Sequence, residues 1–296
     1  VCNRSGLTGA DMRNKFGFRE SSTSVDDVFL NDRIGTVFIA TRHGEHADYA
    51  LRALRAGQHV FVEKPLALNE ADLSQIEELL ASNTSLQGKL LLMVGYNRRF
   101  SPLVREMKAF FSQASEPSMI HYYVNAGFLP RDHWTHDPVD GGGRIVGEVC
   151  HFIDTIQYLT GALPERIHAE SLTSHSVAVT NEDSLNVTMR MTDGSVGVIT
   201  YASNGDSAMA KERIVMSNAN SSAVMNNFST LELYRGGKKT LRKSPGDKGH
   251  RDEVAAFIAA IKDRRSELIP YESLFATTRA TFRILDSLRW KEVLPL

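Results

Sequence analysis

Apolar positions along this chain follow two different periods, and the change between them divides it. In the first third, short apolar runs alternate with segments of helical spacing. Thr36-Val37-Phe38-Ile39-Ala40 is a β-branched run bounded by Gly35 and by the polar Thr41-Arg42-His43-Gly44, the pattern of a strand buried on both faces. Ala47, Ala50, Leu51 and Leu54 then fall at i, i+3, i+4 and i+7, with Gly57 placed to end a helix. His59-Val60-Phe61-Val62 is the next apolar run. Asn69 stands at an N-cap position before a helix carrying Leu73, Ile76, Leu79 and Leu80 on one face, with Glu70 and Asp72 in its first turn. A third run, residues 90–94, ends at Gly95-Tyr96-Asn97-Arg98-Arg99. Strands and helices alternating with short connections predict a parallel sheet.

Beyond about residue 117 the period shortens to two. Leu185, Val187, Met189 and Met191 alternate with Asn186, Thr188 and Arg190, and Asp193-Gly194 predicts a type I′ turn before Val196-Gly197-Val198-Ile199. Gly236-Gly237 predicts a second hairpin between apolar-containing runs at 231–234 and 239–241. Such a sheet is antiparallel, with one face solvated or covered by a partner. Val254, Phe257, Ile258 and Ile261 predict one helix face, and a last helix spans about residues 272–290. The expected fold class is α/β plus α+β. Residues 1–117 form a parallel-sheet domain, and residues 118–296 a domain with a large, mainly antiparallel open sheet and C-terminal helices.

At 296 residues the chain is long enough for two domains. A formal charge of −1, from 34 basic and 35 acidic residues, leaves no electrostatic footprint for nucleic acid and favours a small-molecule ligand. Cys2 and Cys150 are the only cysteines, which excludes a disulfide framework and suits a reducing cytoplasm. No apolar run approaches the ~20 residues of a membrane helix, and no signal-peptide pattern opens the chain. Val1 reads as the end of a strand with no Gly-x-Gly-x-x-Gly before it, as though the fold were entered one βα unit late.

Candidate chemistry begins at Glu63-Lys64-Pro65, where a buried strand empties into a loop on the sheet edge that binds ligands in open α/β folds. The proline disfavours α conformation at Lys64 and holds it in an extended exit. The plain alternative is a lysine paired with its neighbour Glu63. In Gly141-Gly142-Gly143-Arg144-Ile145-Val146-Gly147-Glu148-Val149-Cys150-His151-Phe152-Ile153-Asp154, a glycine-rich entry precedes a helix pattern. Glu148, His151 and Asp154 are three apart and share a face, so the histidine is flanked by carboxylates and can move a proton near neutral pH. An ordinary polar stripe reads equally well. Trp134, in the polar and aromatic loop 131–138, either lines a substrate site or plugs a domain junction. Arg98 and Arg99 either bind an anionic group or pair with acids elsewhere. Neither His43-x-x-His46 nor Glu148 with His151 brings enough further ligands for a metal site, and no serine or cysteine has a nucleophile signature.

In this order the pieces resemble the Gfo/Idh/MocA family of nicotinamide-dependent oxidoreductases. The resemblance rests on Ala40-Thr41 with His46 downstream, then Glu63-Lys64-Pro65, then Gly141-Gly142-Gly143 with His151-x-x-Asp154, and extends over Gly95-Tyr96-Asn97-Arg98-Arg99-Phe100 and Lys248-Gly249-His250. It implies a Rossmann domain, incomplete at its N-terminus, and a second domain whose open sheet mediates homo-oligomers. It implies hydride exchange between nicotinamide and a carbinol carbon of a sugar, cyclitol or related compound. Lys64 would hydrogen-bond the reacting oxygen and His151 would take or give its proton, with Asp154 orienting His151 or holding a neighbouring hydroxyl. Arg98 and Trp134 would contact substrate. The cofactor would lie near Thr41, His46, Glu63, Lys64 and Asn97.

The chain departs from the family in two places. Many members carry aspartate where Gly147 stands. Glu148 follows one residue later, about 100° round a helix. The glycine-rich turn that holds the pyrophosphate is also missing. Asn3, Arg4 and Ser5 occupy the place of the ribose-binding acid, and the absence of an acid there favours NADP over NAD. The wording of residues 141–151 also resembles a subgroup fused behind an alcohol-dehydrogenase-like domain. The rival expectations are a catalytically silent, sugar-responsive regulator or scaffold of the same fold, and a hydrolase or lyase that uses the nicotinamide transiently and regenerates it.

Overall fold

The computed structural model describes residues 1–82, 90–174, 183–265 and 267–296. Strands β1 (Thr36–Ile39), β2 (His59–Val62) and β3 (Leu92–Val94) form a parallel sheet in the order β1-β2-β3. Ahead of them, Ser5 caps helix α1 (Gly6–Phe16), its hydroxyl accepting from the Thr8 N–H at 3.3 Å, and a short α2 (Asp26–Phe29) follows. Helix α3 (His46–Arg55) buries Ala47, Ala50, Leu51 and Leu54, the residues whose spacing predicts it. In α4 (Glu70–Ser82), Asn69 accepts from the Asp72 N–H at 2.9 Å. The strand β3 starts two residues inside its apolar run. The Tyr271 hydroxyl donates to the Leu90 carbonyl at 3.1 Å, and the Leu91 N–H donates to His59 Nδ1 at 3.0 Å.

The second sheet has nine strands: β4 (Met119–Asn125), β5 (Pro164–Ser171), β6 (Leu185–Met191), β7 (Val196–Ala202), β8 (Glu212–Asn218), β9 (Ser221–Asn226), β10 (Thr230–Arg235), β11 (Lys238–Lys243) and β12 (Leu294–Pro295). Among the described residues their order is β11-β10-β9-β8-β4-β7-β6-β5-β12, with β4 and β7 parallel and the other neighbours antiparallel. Alternate residues point inward: Leu185, Val187, Met189 and Met191 of β6, Ile199 and Tyr201 of β7, and Ile214 and Met216 of β8. They meet α5 (Pro102–Phe110) and α6 (Cys150–Thr160), which buries Ile153, Ile156 and Leu159. Among the described residues, no helix is long and apolar enough to cross a membrane.

Two local expectations need correction. At Asp193-Gly194 only Gly194 has positive φ, +87°, whereas a type I′ turn needs it at both central residues. The Met191 N–H donates to Ser195 O and the Gly194 N–H to Met191 O, so the loop has three residues ending in a left-handed glycine. The Asp193 carboxylate instead braces the loop, accepting from Ser195 N–H and Oγ at 2.9 and 2.8 Å. At Gly236-Gly237 both φ values are positive, as the turn predicts. The second correction concerns α7 (His250–Lys262), where Val254 and Ile258 are exposed and the buried stripe is Glu253, Phe257 and Ala260. Glu253 tolerates that stripe because burial, with Glu63 and Asp154 nearby, pushes its carboxyl up to about 8, leaving it protonated at neutral pH.

The C-terminal helices join both cores. Phe257 and Ala260 of α7, with Leu274 and Phe275 of α8 (Tyr271–Trp290), pack into the core of the parallel sheet, while Ala280 and Ile284 of α8 enter the core of the large sheet. Phe257 stands edge-on to Phe38 and Phe61 at centroid distances of 5.5 and 5.6 Å. Phe257→Ala should therefore lower unfolding stability by about 3–5 kcal/mol. The exposed Val254→Ala should change it by less than about 0.5 kcal/mol. Urea unfolding of the two variants checks both values.

Candidate active site

The strand β2 delivers Lys64 to the carboxyl edge of the parallel sheet. Val60, Phe61 and Val62 are buried, the Glu63 N–H closes the ladder on Ile39 O at 2.8 Å, and the chain then turns through a cis Lys64–Pro65 bond. Lys64 Nζ reaches across to the second half of the molecule and donates to Gly147 O at 2.8 Å. Gly147 belongs to a π-helical turn, Ile145–Val149, that runs directly into α6; such turns recur at functional sites. One turn further on is His151, 9% exposed, with Tyr96 edge-on at 6.4 Å and a buried Nδ1 that has no partner among the described residues. Burial, reinforced by Arg98, Lys64, His250 and Lys248, holds its pKa well below the usual histidine range. The ring is therefore neutral near pH 7.

Neither carboxylate expected beside His151 is paired with it. Asp154 receives a bidentate grip from Arg99, with Nε at 3.0 Å from Oδ2 and NH2 on Oδ1. Glu148 accepts from the Tyr201 hydroxyl at 2.7 Å and lies 3.7 Å from Arg144. The π turn separates Glu148 from the α-helical phase that carries His151 and Asp154, so the three do not act as one hydrogen-bonded stripe. Arg98 is likewise engaged: its Nε and NH2 lie 2.8 and 3.0 Å from the two oxygens of Glu212, which also accepts from Lys248 Nζ at 2.9 Å and Tyr122 OH at 2.6 Å. This leaves Arg98 unavailable to a substrate anion. Burial favours protonation of Glu212, but Arg98 and Lys248 outweigh it and hold the pKa at about 2.

Of the residues expected at a cofactor, Thr41 is exposed and Glu63 half-buried on the sheet edge. His46 is fully buried, and its nitrogens face backbone carbonyls, Nδ1 to Pro65 O at 2.8 Å and Nε2 to Thr41 O at 3.2 Å. It pins the β1 exit to the β2 exit and offers no surface to a ligand. Asn97 is also buried, donating to Lys248 O at 2.9 Å and accepting from Arg98 at 3.2 Å. It braces the edge from behind. Asn3 accepts from the Ser5 N–H at 2.9 Å, and exposed Arg4 pairs with Glu45. Trp134 folds over the β1 exit, edge-on to His43 at 4.8 Å and under the Arg42 guanidinium at 5.6 Å. Among the described residues, no three metal-ligating side chains converge.

Two residues of this neighbourhood escape the sequence reading as given. Glu212 was legible in principle, since it takes the inward parity of Ile214 and Met216 on a strand, where an acid demands buried partners. His43 carries only a metal reading in the sequence. Its seat depends on Gly147, where a Cβ would lie 2.8 Å from His43 Cε1.

With this geometry in place, the comparisons with known proteins are informative. A family model described as "Oxidoreductase family, NAD-binding Rossmann fold" matches residues 1–96, and the "GFO/IDH/MocA C-terminal domain" matches residues 104–216. Myo-inositol 2-dehydrogenase of Thermotoga maritima is 26% identical over 200 residues, covering 64% of this chain and 56% of that protein. Levoglucosan dehydrogenase of Pseudarthrobacter phenanthrenivorans is 28% identical over 164 residues, covering 51% and 40%. The chain thus spans about half the length of the curated relatives it matches. A solved levoglucosan dehydrogenase, in complex with NADH and levoglucosan, superposes with a TM-score of 0.84 at 18% identity, covering 100% of this chain and 89% of that one. An oxidoreductase domain protein from Kribbella flavida gives 0.87 at 18%, covering 99% and 89%.

The Glu212 cluster makes a stability prediction with a defined pH window. Glu212→Gln leaves Arg98 and Lys248 without their countercharge and should cost about 3–5 kcal/mol at neutral pH. The Glu212 pKa falls from an ordinary 4.5 to about 2 on folding, so its contribution is complete above 4.5 and is lost as pH falls towards 2. The stability gap between wild type and variant should shrink through that window. Denaturant titrations at a series of pH values measure it, and a constant gap would refute the assignment.

Proposed function

Because this chain belongs to the Gfo/Idh/MocA oxidoreductase family, we propose that it moves a hydride between a nicotinamide cofactor and a carbinol or carbonyl carbon of a sugar, cyclitol or related polyol. The observation that carries the reading is the Lys64 contact with Gly147 one turn before His151. It sets a cation from the sheet edge beside a neutral imidazole from the helix. Arg98 and Arg99 are each neutralised by an acid, whereas among the described residues Lys64 donates to a carbonyl and pairs with no acid. Its charge is available to an oxygen that becomes negative as its proton leaves.

When bound, the nicotinamide accepts the hydride in oxidation and returns it in reduction. In the oxidative direction Lys64 Nζ hydrogen-bonds the substrate hydroxyl oxygen, and the imidazole of His151 takes the hydroxyl proton. The C–H bond breaks with its electron pair leaving as hydride, and the C=O bond forms. His151 is suited to receive the proton because its ring is neutral and its buried Nδ1 lacks a partner. Asp154 contributes by fixing α6 through Arg99, a positioning role. Thr41 and Glu63 line the edge where the cofactor would lie, and the half-buried Trp134 would close the loop side against substrate. The relatives named as inositol and levoglucosan dehydrogenases support a polyol as substrate, and the NADH complexes of structural neighbours support a nicotinamide cofactor.

Between the two nicotinamide cofactors we favour NADP, on the position of Arg4. Its guanidinium is exposed and paired only with Glu45, so a 2′-phosphate can compete for it. The outer face of the nine-stranded sheet, with exposed Met119 and half-buried Val198, Val215 and Val224, suits association of identical chains.

Steady-state oxidation of myo-inositol and levoglucosan, followed by reduced-nicotinamide absorbance, tests these roles. His151→Asn should lower kcat about 10²–10⁴-fold with NADPH affinity unchanged. Lys64→Ala should lower kcat about 10²–10³-fold. Unchanged turnover in either variant removes that residue from the mechanism. Arg4→Ala should weaken NADPH binding about tenfold and leave NADH binding intact; equal effects on both nucleotides would refute the NADP preference.

A further inference from the structure

His43 lies in the short turn His43–Glu45 that follows β1, and it is 7% exposed. Its ring is held on several sides. Nδ1 lies 2.7 Å from Gly141 O, Trp134 stands edge-on at 4.8 Å, and His46 packs at 5.7 Å. A carbonyl oxygen can only accept, so Nδ1 carries the hydrogen. Burial, opposed by that hydrogen bond and aided by the Lys64 charge, brings the His43 pKa to about 4. Near neutral pH the ring therefore holds a single proton, on Nδ1, and Nε2 presents a lone pair. Among the described residues Nε2 has no hydrogen-bond partner, yet it is absent from the atoms sealed from solvent without one.

The ring of His43 lies beside the residue that Lys64 contacts. A Cβ on Gly147 would lie 2.8 Å from His43 Cε1, the ring carbon between the two nitrogens, and 3.3 Å from Nδ1. Gly147 O is the acceptor of Lys64 Nζ. His43 and Lys64 thus converge on one residue from different parts of the sheet edge, and His151 stands four residues further along the same helix. An aspartate at 147 would collide with the ring. The absence of a side chain there leaves the imidazole as the polar group on that flank, a neutral acceptor where a carboxylate would bring a negative charge.

We propose that His43 is a substrate-contacting residue whose Nε2 accepts a hydrogen bond from a polyol hydroxyl adjacent to the reacting carbinol, and that this contact selects substrates carrying a free hydroxyl at that position. The proposal rests on the polyol-oxidoreductase reading for its substrate class. Its chemistry is one hydrogen bond, with no covalent step. A substrate that lacks the neighbouring hydroxyl, or carries an ether there, leaves the lone pair unanswered.

The test reads the ring directly. Wild-type protein with ¹⁵N-labelled histidine is titrated with myo-inositol, levoglucosan and their monodeoxy analogues in the presence of NADPH, and the His43 Nε2 resonance is assigned by its loss in His43→Gln. The expected result is an Nε2 shift with a parent polyol that disappears with the analogue deoxygenated at the contacting position. In kinetics, His43→Ala and His43→Gln should raise KM for the parent polyol about tenfold, the usual size of one lost hydrogen bond. NADPH affinity should not change, and KM for the deoxy analogue should match that of wild type. An Nε2 resonance unmoved by every polyol overturns the proposal, as does a KM penalty equal for parent and deoxy substrates. Turnover with an unmoved Nε2 refutes the contact and leaves the enzyme reading standing. A deoxy-sensitive Nε2 shift without nicotinamide-dependent turnover refutes the enzyme reading and leaves the contact standing.

Discussion

Two buried ion pairs made by adjacent arginines set the geometry on which the candidate site depends. Arg98 and Arg99 leave the same 3₁₀ turn, Asn97–Phe100, just beyond β3, and diverge. Arg98 goes to Glu212 on β8 and Arg99 to Asp154 on α6. One turn of chain at the edge of the parallel sheet is thereby tied to both layers of the second half. Buried ion pairs of this kind add little net stability over an apolar core, but losing one partner is costly because the other charge is left stranded. Their structural consequence is registry. They fix where the parallel-sheet edge faces α6, and so how Lys64 meets the π turn.

The same cluster sets the electrostatics. Arg98 and Lys248 surround one acid, and burial, aided by the positive field of Arg98, Lys64, His250 and Lys248, holds His151 neutral. A neutral imidazole beside an unneutralised ammonium is a useful pair for moving the proton of an alcohol. In the proposed reaction the ammonium would stabilise charge on the oxygen and the imidazole would take the proton. His43 packs on the side of Gly147, with its single proton donated to the Gly141 carbonyl. Two imidazoles then differ in role because their surroundings differ: one is tied at Nδ1 to a carbonyl, while the other has an empty buried Nδ1.

Much of this was legible in the order of residues. The strands β1 and β2, the α3 stripe and the alternation of β6 follow directly from apolar period, because each buries a face that only one secondary structure can present. Glu63-Lys64-Pro65 at a strand end and His151 on a glycine-entered helix also stand where the sequence puts them. The misreadings share one cause. Spacing says which residues lie on a face, but it does not say what approaches that face from elsewhere in the chain. Asp154 and Glu148 share a helical spacing with His151, yet Arg99 and Tyr201 claim them from 55 and 53 residues away. Arg98 reads either as an anion binder or as the partner of a distant acid, and spacing alone does not point to Glu212, 114 residues on, as that acid. His46 marks the family pattern but serves as a backbone pin. Gly147 reads as a missing acid, and only the fold reveals that His43 occupies the space.

The central claim is that Lys64 and His151 act on one carbinol, Lys64 holding its oxygen and His151 taking its proton, while its hydride passes to the nicotinamide. Single-turnover oxidation of myo-inositol deuterated at every carbinol carbon, with NADP⁺ as acceptor, tests it most directly through the deuterium content at C4 of the nicotinamide. The account predicts one deuterium per reduced nucleotide in wild-type protein and none formed in the Lys64→Ala, His151→Asn double variant. Reduced nucleotide without deuterium, or equal transfer by the double variant, would contradict it.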